Sequence, residues 1–283
     1  MSALPLPKNA STCLVSPVAA ASGDRCLRAL IFDVDGTLAD TEETHRQAFN
    51  FAFLAFDLDW EWSKPLYREL LRTSGGKERI VGFIGTLPVA AAEKRRLAGL
   101  APAIHREKTR LYAELVADGR CTLRPGVERL LGEASACGVR LAIASTTSPQ
   151  NVDALLTRHL GRGGLGMFDA IACADHVQRK KPAPDIYLLA LAMLGLPAMA
   201  CVAFEDSPNG LRAAKRARLF TVVTPSPWTA GERFPGADLE LPHLGDETHA
   251  LPAAVARWLG APRLDLATLC RLHAASSRRV MGA

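Results

Sequence analysis

The stretch LRALIFDVDGTLADTEETHRQAFN, from Leu27 to Asn50, decides the fold of this chain. Its first half, LRALIFDV, is a nearly continuous apolar run closed by Asp and Gly, a pattern typical of a strand buried in a parallel sheet. This strand brings two carboxylates, Asp33 and Asp35, onto one turn, which Gly36 allows to leave the strand sharply. An amphipathic helix is predicted to follow from Thr41. The stretch therefore predicts a sheet edge that carries acids.

Beyond this stretch, the pattern is first purely helical and then alternates between strands and helices. Helical segments without an intervening strand candidate cover residues 41–116. A helix with Pro125 near its start and Gly138 just past its end follows. From VRLAIAS (139–145) to FTVVT (220–224), strands and helices alternate. Alternation of this kind predicts an α/β fold with βαβ units in a doubly wound, Rossmann-like parallel sheet.

The helical block lies inside the α/β pattern and is therefore predicted to be an inserted all-α helical cap. The predicted segments are a disordered N-terminal extension (1–26), the core (27–40 and 119–260), the cap (41–118) and a C-terminal tail (261–283). Hinges are expected at the two junctions, near residues 39–41 and 118–123. Residues after Thr224 are rich in Pro and Gly and predict loops, with a final helix around residues 254–259.

Composition excludes several classes of protein. The chain has 283 residues, of which 48% are hydrophobic, enough for a sizeable core. Its net charge of +5 is spread among acids instead of gathered in one run, so nucleic acid is not an expected partner. No apolar run reaches the roughly 18 residues of a membrane span, so no membrane partner is expected.

The cysteines and the first residues bear on the compartment. Seven cysteines, an odd number without a CxxC pair, favour a reducing compartment, and a cytoplasmic monomer is predicted. The first residues, MSALPLPKNASTCLVSPVAAASGDR, are poor in acids and contain Ser, Ala and Pro, but have little Arg. They predict a flexible extension, with a plastid transit peptide as the alternative.

Polar side chains follow the ends of the predicted strands. They are Asp33, Asp35, Ser145, Glu205 and Asp206, joined by Lys181 in a loop after a strand. Ligands of open α/β sheets bind beyond the carboxyl ends of the strands, which predicts a site here. Each residue also has an ordinary structural interpretation. The two acids of the turn could be solvated, Ser145 could cap its strand end, Lys181 could be a solvated neighbour of Lys180, and Asp206 could be the N-cap of a helix.

Four segments in chain order, FDVDGT, LAIAS, KKPAPD and FEDS, resemble the motifs of the haloacid dehalogenase superfamily of phosphotransferases. The similarity covers about Leu27 to Pro225, and the helical insert matches the family's α-helical cap in its position after the first strand. The resemblance implies phosphoryl transfer at the strand ends.

In this family the first acid of the motif is a nucleophile, and the resemblance implies that Asp33 forms an aspartyl-phosphate. Asp35 would then be the general acid and base, with a pKa raised by a closed, water-poor cap. Ser145 and Lys181 would bind the transferring phosphoryl oxygens, helped by backbone N–H groups near Thr146 and Thr147. Mg²⁺ would be held by Asp33, the backbone carbonyl of Asp35, Asp206 and Glu205, the last through a water or directly.

Two cap segments are candidate substrate contacts. Helical spacing places Glu42, His45 and Phe49 near one face, although a solvated helix edge is an alternative. SGGKERI supplies Gly75, Gly76, Lys77, Glu78 and Arg79, where paired glycines let the backbone approach a ligand. A charged first turn of a helix is the alternative for this segment.

Together DGTLADTEETHRQAFN, SGGKERI, STTSPQNV and KKPAPDIY resemble the CbbY-like branch, which removes phosphate from xylulose-1,5-bisphosphate, an inhibitor of Rubisco. The resemblance implies that Glu42 binds sugar hydroxyls and that residues 75–79 hold the distal part of a phosphorylated sugar. Ala39 and Asp40 depart from residues that members of the family often carry, and no mechanism is attached to them. Two alternatives stay open: a phosphosugar mutase of the β-phosphoglucomutase type, and a non-catalytic binding protein on the same fold. Dehalogenase chemistry is disfavoured because Asp35 is superfluous when halide leaves unprotonated.

Overall fold

The computed structural model describes residues 26–279, with side chains through residue 276, and its centre is a six-stranded parallel sheet. The strands are β1 (Ala29–Phe32), β2 (Arg140–Ala144), β3 (Ala170–Ala172), β4 (Cys201–Glu205), β5 (Phe220–Val223) and β6 (Leu239–Glu240). Their order across the sheet is β3-β2-β1-β4-β5-β6. The strand order therefore reverses beside β1, the place where open α/β sheets bind ligands.

Among the described residues, five α-helices lie between β1 and β2, and five follow β2. The first four are α1 (Glu42–Ala55), α2 (Lys64–Leu70), α3 (Gly76–Thr86) and α4 (Ala91–Ala117). The later helices are α5 (Val127–Ala136), α6 (Pro149–Leu160), α7 (Asp185–Leu194), α8 (Pro208–Arg216), α9 (Ala253–Leu259) and α10 (Leu266–Arg279). The predicted doubly wound core with an inserted all-α cap is confirmed. The domain boundaries predicted from the sequence stay proposals.

Side chains that alternate along the strands differ in size between the two faces of the sheet. Larger residues such as Leu30, Phe32 and Phe204 belong to one buried cluster, which α5, α6 and α10 cover. Smaller residues such as Ala29 and Ala203 belong to a second cluster, covered by α7 and α8. Because successive residues of a strand face opposite sides, the same strands serve both clusters. Helices thus bury both faces, and only the strand ends remain free for a ligand.

The cap has its own hydrophobic core, which is rich in aromatic rings. Phe49 and Phe53 of α1 pack on Trp62 at ring-centroid distances of 4.6 and 4.9 Å, and Trp62 is fully buried. Tyr67 of α2 and Ile104 of α4 complete the same cluster. Large rings bury much area per side chain, so this small helical unit holds its shape while one of its sides faces the core.

The two chain segments that join the cap to the core lie side by side. Ala39 pairs with Leu123 in an antiparallel bridge, and the Asp40 N–H donates to the Thr122 carbonyl at 3.0 Å. The Arg124 N–H donates to the Leu38 carbonyl at 2.9 Å. The predicted hinge segments therefore form one paired joint.

Two elements near the C-terminus were missed by the sequence analysis. Strand β6 is only two residues long and lies in the segment that predicted loops. Helix α10 lies in the predicted tail, but its Leu266 and Leu269 are buried in the cluster that α5 and α6 share. The helix around residues 254–259 is present as α9 but is not the final helix.

The predictions for the N-terminal residues and for a membrane span can be compared only with the described part of the chain. The predicted N-terminal extension lies outside the described residues except for Cys26, which is exposed, and Cys13 also lies outside them. None of the helices between residues 26 and 279 combines the length and apolarity that a membrane span requires.

Candidate active site

The turn after β1 brings the two motif carboxylates to the edge of the sheet. The Asp33 N–H continues the ladder by donating to the Phe204 carbonyl of β4 at 3.0 Å. Gly36 follows with φ of +78°, and a Cβ there would lie 2.2 Å from Asp206 Oδ2. Only glycine meets both demands, because its positive φ strains other residues and its missing side chain leaves room for the carboxylate. The turn therefore lies directly against the acidic end of β4.

Three buried carboxylates meet at this edge. Oxygens of Asp33, Glu205 and Asp206 lie within 4.8 Å of one another. Burial, only partly offset by the Lys181 charge, raises the pKa of Asp33 to about 7, and burial with the neighbouring carboxylates raises the pKa of Asp206 well above its usual value. Glu205 Oε2 is buried without a hydrogen-bond partner among the described residues. Buried acids with unsatisfied oxygens fit a hard divalent cation such as Mg²⁺.

Lys181 links two of these acids. Its Nζ lies 2.6 Å from both Asp33 Oδ1 and Glu205 Oε1, and it is buried. Burial alone would lower the pKa of Lys181, but these two carboxylates hold it above its usual value. Tyr187 of α7 also donates to Glu205 Oε1, at 2.5 Å. Sequence reasoning missed Tyr187, whose place in an apolar helix gave no polar signal.

The loop after β2 forms a third wall of the site. Ser145 is buried, and its Oγ accepts from the Thr147 N–H at 3.3 Å. Asn151 of α6 donates to Thr147 Oγ1 at 2.9 Å, and Ser148 is the N-cap of α6. Ser145 thus orders its own loop, as the strand-cap interpretation expected, and also lines the cavity beside Asp33.

Asp35 has a different environment from Asp33. Its Oδ1 accepts from Thr41 Oγ1 at 2.6 Å and lies 2.8 Å from His45 Nε2. Burial alone would raise the pKa of Asp35, but His45, the Thr41 hydrogen bond and the Lys108 charge hold it well below its usual range. The expectation of a raised pKa is therefore wrong for this arrangement, because the cap supplies hydrogen-bond donors as well as excluding water.

Lys108 stands behind this pair and was missed by the sequence analysis. It is buried, its Nζ lies 2.5 Å from His45 Nδ1, and burial lowers its pKa to about 7. A neutral His45 with its proton on Nε2 satisfies both neighbours. The signal was present in the sequence, since Lys108 lies midway between Ile104 and Tyr112 on the apolar face of α4. His45 is buried too, so a solvated helix edge is excluded for it.

The cap residues form a hydrogen-bonded chain along the other side of the cavity. Tyr67 donates to Glu42 Oε2 at 2.9 Å, and Arg79 Nη1 donates to the Tyr67 hydroxyl at the same distance. Lys77 Nζ lies 3.6 Å from Asp175 Oδ1 of the core, an ion pair across the cleft between cap and core. Arg79 is therefore held within the cap, while Lys77 reaches an exposed acid of the core across the cleft.

Gly75 and Gly76 approach side chains of the cap itself. A Cβ on Gly75 would lie 2.2 Å from Glu78 Oε2, and one on Gly76 would lie 2.5 Å from His105 Nε2. Burial and nearby cations lower the pKa of His105 to about 3. The two glycines thus leave room for cap side chains, and the predicted approach of their backbone to a ligand stays a prediction. His105 is a lining residue that the sequence analysis did not find.

The predicted site residues converge on one cavity of about 520 Å³ between cap and core. They are Asp33, Asp35, Glu42, His45, Gly75, Gly76, Lys77, Glu78, Arg79, Ser145, Thr146, Thr147, Lys181 and Asp206, and the fully buried Glu205 lies behind them. Two structural alternatives are excluded: Ser207, not Asp206, caps α8, and Lys181 is buried. Lys180 donates to the Ala174 and Val177 carbonyls and also lines the cavity.

A family model for haloacid dehalogenase-like hydrolases matches residues 27–218. The chain belongs to the haloacid dehalogenase-like hydrolase family. Its similarity to CbbY proteins is high: CbbY of Cupriavidus necator is 50% identical over 251 residues, which are 87% of this chain and 97% of that protein. Within the family, the chain is thus a member of the CbbY-like branch and a hydrolase of the phosphatase type.

Solved structures of a CbbY-like relative match the fold of this haloacid dehalogenase-like hydrolase. The crystal structure of CbbY from Rhodobacter sphaeroides in complex with phosphate has a TM-score of 0.71 at 47% identity, and covers 77% of this chain and 94% of that one. A mutant of that CbbY in complex with xylulose-(1,5)bisphosphate gives the same TM-score at 46% identity, over 78% of this chain and 98% of that one.

Proposed function

We propose that this hydrolase is a Mg²⁺-dependent sugar-bisphosphate phosphatase that acts on xylulose-1,5-bisphosphate through an aspartyl-phosphate on Asp33. The observation that carries the proposal is the surroundings of the Asp33 carboxylate. It lies 2.6 Å from the Lys181 ammonium, within 4.8 Å of two further buried acids, and at the wall of a cavity whose cap side carries Lys77 and Arg79. The complex of the relative with xylulose-(1,5)bisphosphate supports this choice of substrate.

In this mechanism the residues of the chain divide the work of two transfers. An Asp33 oxygen attacks phosphorus while the bond to the sugar oxygen breaks, and Asp35 gives that oxygen a proton. Asp35 then takes a proton from the attacking water, and the bond between Asp33 and phosphorus breaks to release inorganic phosphate. Lys181 and Ser145 stabilise the phosphoryl oxygens in both steps. Bound Mg²⁺, held by Asp33, Asp206, Glu205 and the Asp35 carbonyl, would supply charge neutralisation.

The Asp35 environment assigns a role to cap motion. With Thr41 and His45 bound to its Oδ1, Asp35 is a carboxylate, suited to take the proton from water. To act first as an acid, it must lose one of these contacts while it stays buried, since burial favours the protonated form. Both contacts come from the hinge and α1, so hinge rotation can switch Asp35 between its two states.

A second cationic region favours a bisphosphate over a monophosphate. Arg79 is fixed by Tyr67 and by the Leu70 carbonyl at 3.2 Å, while Lys77 is paired with an exposed acid across the cleft. A distal phosphate can replace that weak, solvent-exposed pair with a charge-assisted contact. Glu42, held by Tyr67, is an acceptor suited to sugar hydroxyls.

We therefore expect Lys77→Met to lower kcat/KM for sugar bisphosphates by about tenfold, and to leave sugar monophosphates within about twofold. Phosphate release over a panel of mono- and bisphosphates with Mg²⁺ measures this and tests the proposed function. The matched control is Lys64→Met, an exposed lysine at the start of α2 that does not line the cavity. Equal losses on both substrate classes would contradict the distal site, and isomerised product without free phosphate would favour a mutase.

The affinity for Mg²⁺ should fall in acid. Burial raises the pKa of Asp33 to about 7, so protons compete with the cation at pH values where an ordinary Asp is ionised. Lower pH favours the protonated, metal-free cluster, and we expect the Kd for Mg²⁺ to rise about tenfold per pH unit below pH 7 for each proton displaced. Calorimetric titrations between about pH 5.5 and 8, in buffers of different ionisation enthalpy, measure both Kd and proton release. A Kd independent of pH would rule out this competition.

A further inference from the structure

Arg124 directly follows the second hinge segment and is almost completely buried. It lies where the paired joint of the cap meets the edge of the sheet, since its N–H donates to the Leu38 carbonyl. It takes no part in the proposed chemistry and does not line the cavity. Burying the charge of an arginine is costly unless its N–H donors find hydrogen-bond acceptors, so the surroundings of the Arg124 guanidinium must compensate for its burial.

The guanidinium of Arg124 joins three backbone segments. Nη1 donates to the Gly36 carbonyl at 2.7 Å and to the Thr224 carbonyl at 2.5 Å. Nη2 donates to the Pro225 carbonyl at 2.8 Å and to the Pro242 carbonyl at 3.2 Å. Nη1 also donates to Thr224 Oγ1 at 2.9 Å. All of these acceptors are neutral, so the bonds position the backbone without neutralising the charge.

The counter-charge comes from the first hinge segment. Arg124 Nε lies 3.4 Å from Asp40 Oδ1, and Asp40 is the carboxylate that forms an ion pair with it among the described residues. Asp40 is partly exposed, whereas the guanidinium is buried. Rotation of the cap about residues 39–41 would move this carboxylate relative to a charge that is fixed in the core. The sequence analysis attached no mechanism to Asp40, and the structure gives it a contact with Arg124 at the cap hinge.

Two of the three backbone segments that Arg124 binds determine the position of the acid cluster. They are the Gly36 turn and residues 224–225, and we call them the clamped segments. Gly36 follows Asp35 directly, and its Cα leaves no room for a side chain beside Asp206. The chain beyond Thr224 continues to Thr229, whose Oγ1 donates to the Asp206 carbonyl at 2.7 Å. Displacing either segment would therefore shift Asp206 relative to Asp33.

We propose that Arg124 is a positioning residue that fixes the Gly36 turn and the 224–225 segment for metal binding, and that Asp40 couples this clamp to the cap hinge. The inference rests on the proposed Mg²⁺ site. Arg124 acts through backbone atoms and touches neither the substrate nor the reacting atoms. Its effect should therefore appear in metal affinity more than in substrate KM.

The test is Mn²⁺ binding to the metal-stripped full chain, followed by electron paramagnetic resonance. Arg124→Lys keeps the positive charge but loses the planar guanidinium that binds several carbonyls at once. We expect it to weaken Mn²⁺ binding by about tenfold or more, as for other residues that orient metal ligands. The matched control is Arg129→Lys. Arg129 also donates to carbonyls of the core, Gly245 and Leu264 among them, but contacts neither clamped segment. We expect the control to lower Tm and to change Mn²⁺ affinity by less than about twofold.

Asp40→Asn tests the coupling and keeps the proposal open to refutation if Arg124→Lys does not fold. We expect about threefold weaker Mn²⁺ binding for Asp40→Asn alone, and no further loss when it is added to Arg124→Lys. Unchanged Mn²⁺ affinity of Arg124→Lys would overturn the clamp. Unchanged Mn²⁺ affinity of Asp40→Asn alone, or additive losses in the double variant, would overturn the coupling. Failure of the unaltered chain to bind Mn²⁺ would instead overturn the proposed function.

Discussion

Replacing Asp33 with Asn should lower kcat for phosphate release by at least about 10⁴-fold, the scale seen when a covalent nucleophile is removed. An amide oxygen is a poor nucleophile toward phosphorus, and no other described carboxylate that lines the cavity has the Asp33 position against Lys181. Release of inorganic phosphate from a sugar bisphosphate, measured with saturating Mg²⁺, gives the result. Trapping of a phosphorylated protein during turnover should succeed with the unaltered chain and fail with the variant.

The matched control is Asp153→Asn on the exposed side of α6, which should keep full activity. Asp33→Asn should also keep or raise the Tm of the metal-free protein, because it removes one of three crowded buried acids. Burial and, to a smaller extent, repulsion by Glu205 raise the pKa of Asp33. Residual turnover above about 1% of the control would contradict covalent catalysis by Asp33.

Replacing Lys181 with Met should have the second-largest effect, a loss of about 10³-fold in kcat/KM. Its ammonium lies 2.6 Å from Asp33 and Glu205 and lowers the repulsion between these acids. In the proposed mechanism it would also contact the transferring phosphoryl group. Phosphate release at several substrate concentrations gives kcat and KM separately. We expect kcat to fall more than KM rises, since negative charge accumulates in the transition state.

Stability distinguishes Lys181 from its neighbour in the sequence. Removing one partner of a buried charged pair typically costs about 3–5 kcal/mol, so the metal-free Lys181→Met protein should unfold at lower denaturant concentration. Lys180→Met is the matched variant: its ammonium binds the Ala174 and Val177 carbonyls, and its loss should lower activity by less than about tenfold. Equal losses of activity in the two variants would show that the pairing of Lys181 with Asp33 has no special role in catalysis.

The parts of this molecule that sequence predicted well are those that depend on local pattern. Strand ends of a parallel sheet meet at one edge, so Asp33, Ser145 and Asp206 could be placed together once the strands were recognised. The same holds for the cap, whose helices follow from apolar periodicity. Helix α10 was missed because its place beyond a Pro- and Gly-rich segment suggested a tail, although its apolar face packs on the core.

Contacts between elements distant in the sequence could not be predicted. Lys108 meets His45 only because α4 packs against α1, and Tyr187 reaches Glu205 only because α7 lies on the small-residue face of the sheet. The pKa of Asp35 has the same origin. Desolvation, which sequence reasoning expected to raise the pKa of Asp35, is outweighed first by the electrostatic effect of His45 and then by the hydrogen bonds of His45 and Thr41, whose geometry depends on the assembled cap.

The paired joint also affects how such a molecule can change over evolutionary time. Since Ala39 and Leu123 are neighbours across one antiparallel bridge, the ends of the helical insert leave and re-enter the sheet layer at a single place. Lengthening, shortening or replacing everything between them need not alter the strand register of β1 and β2. Selectivity can therefore diverge among descendants of one ancestor while the phosphoryl-transfer machinery is inherited intact.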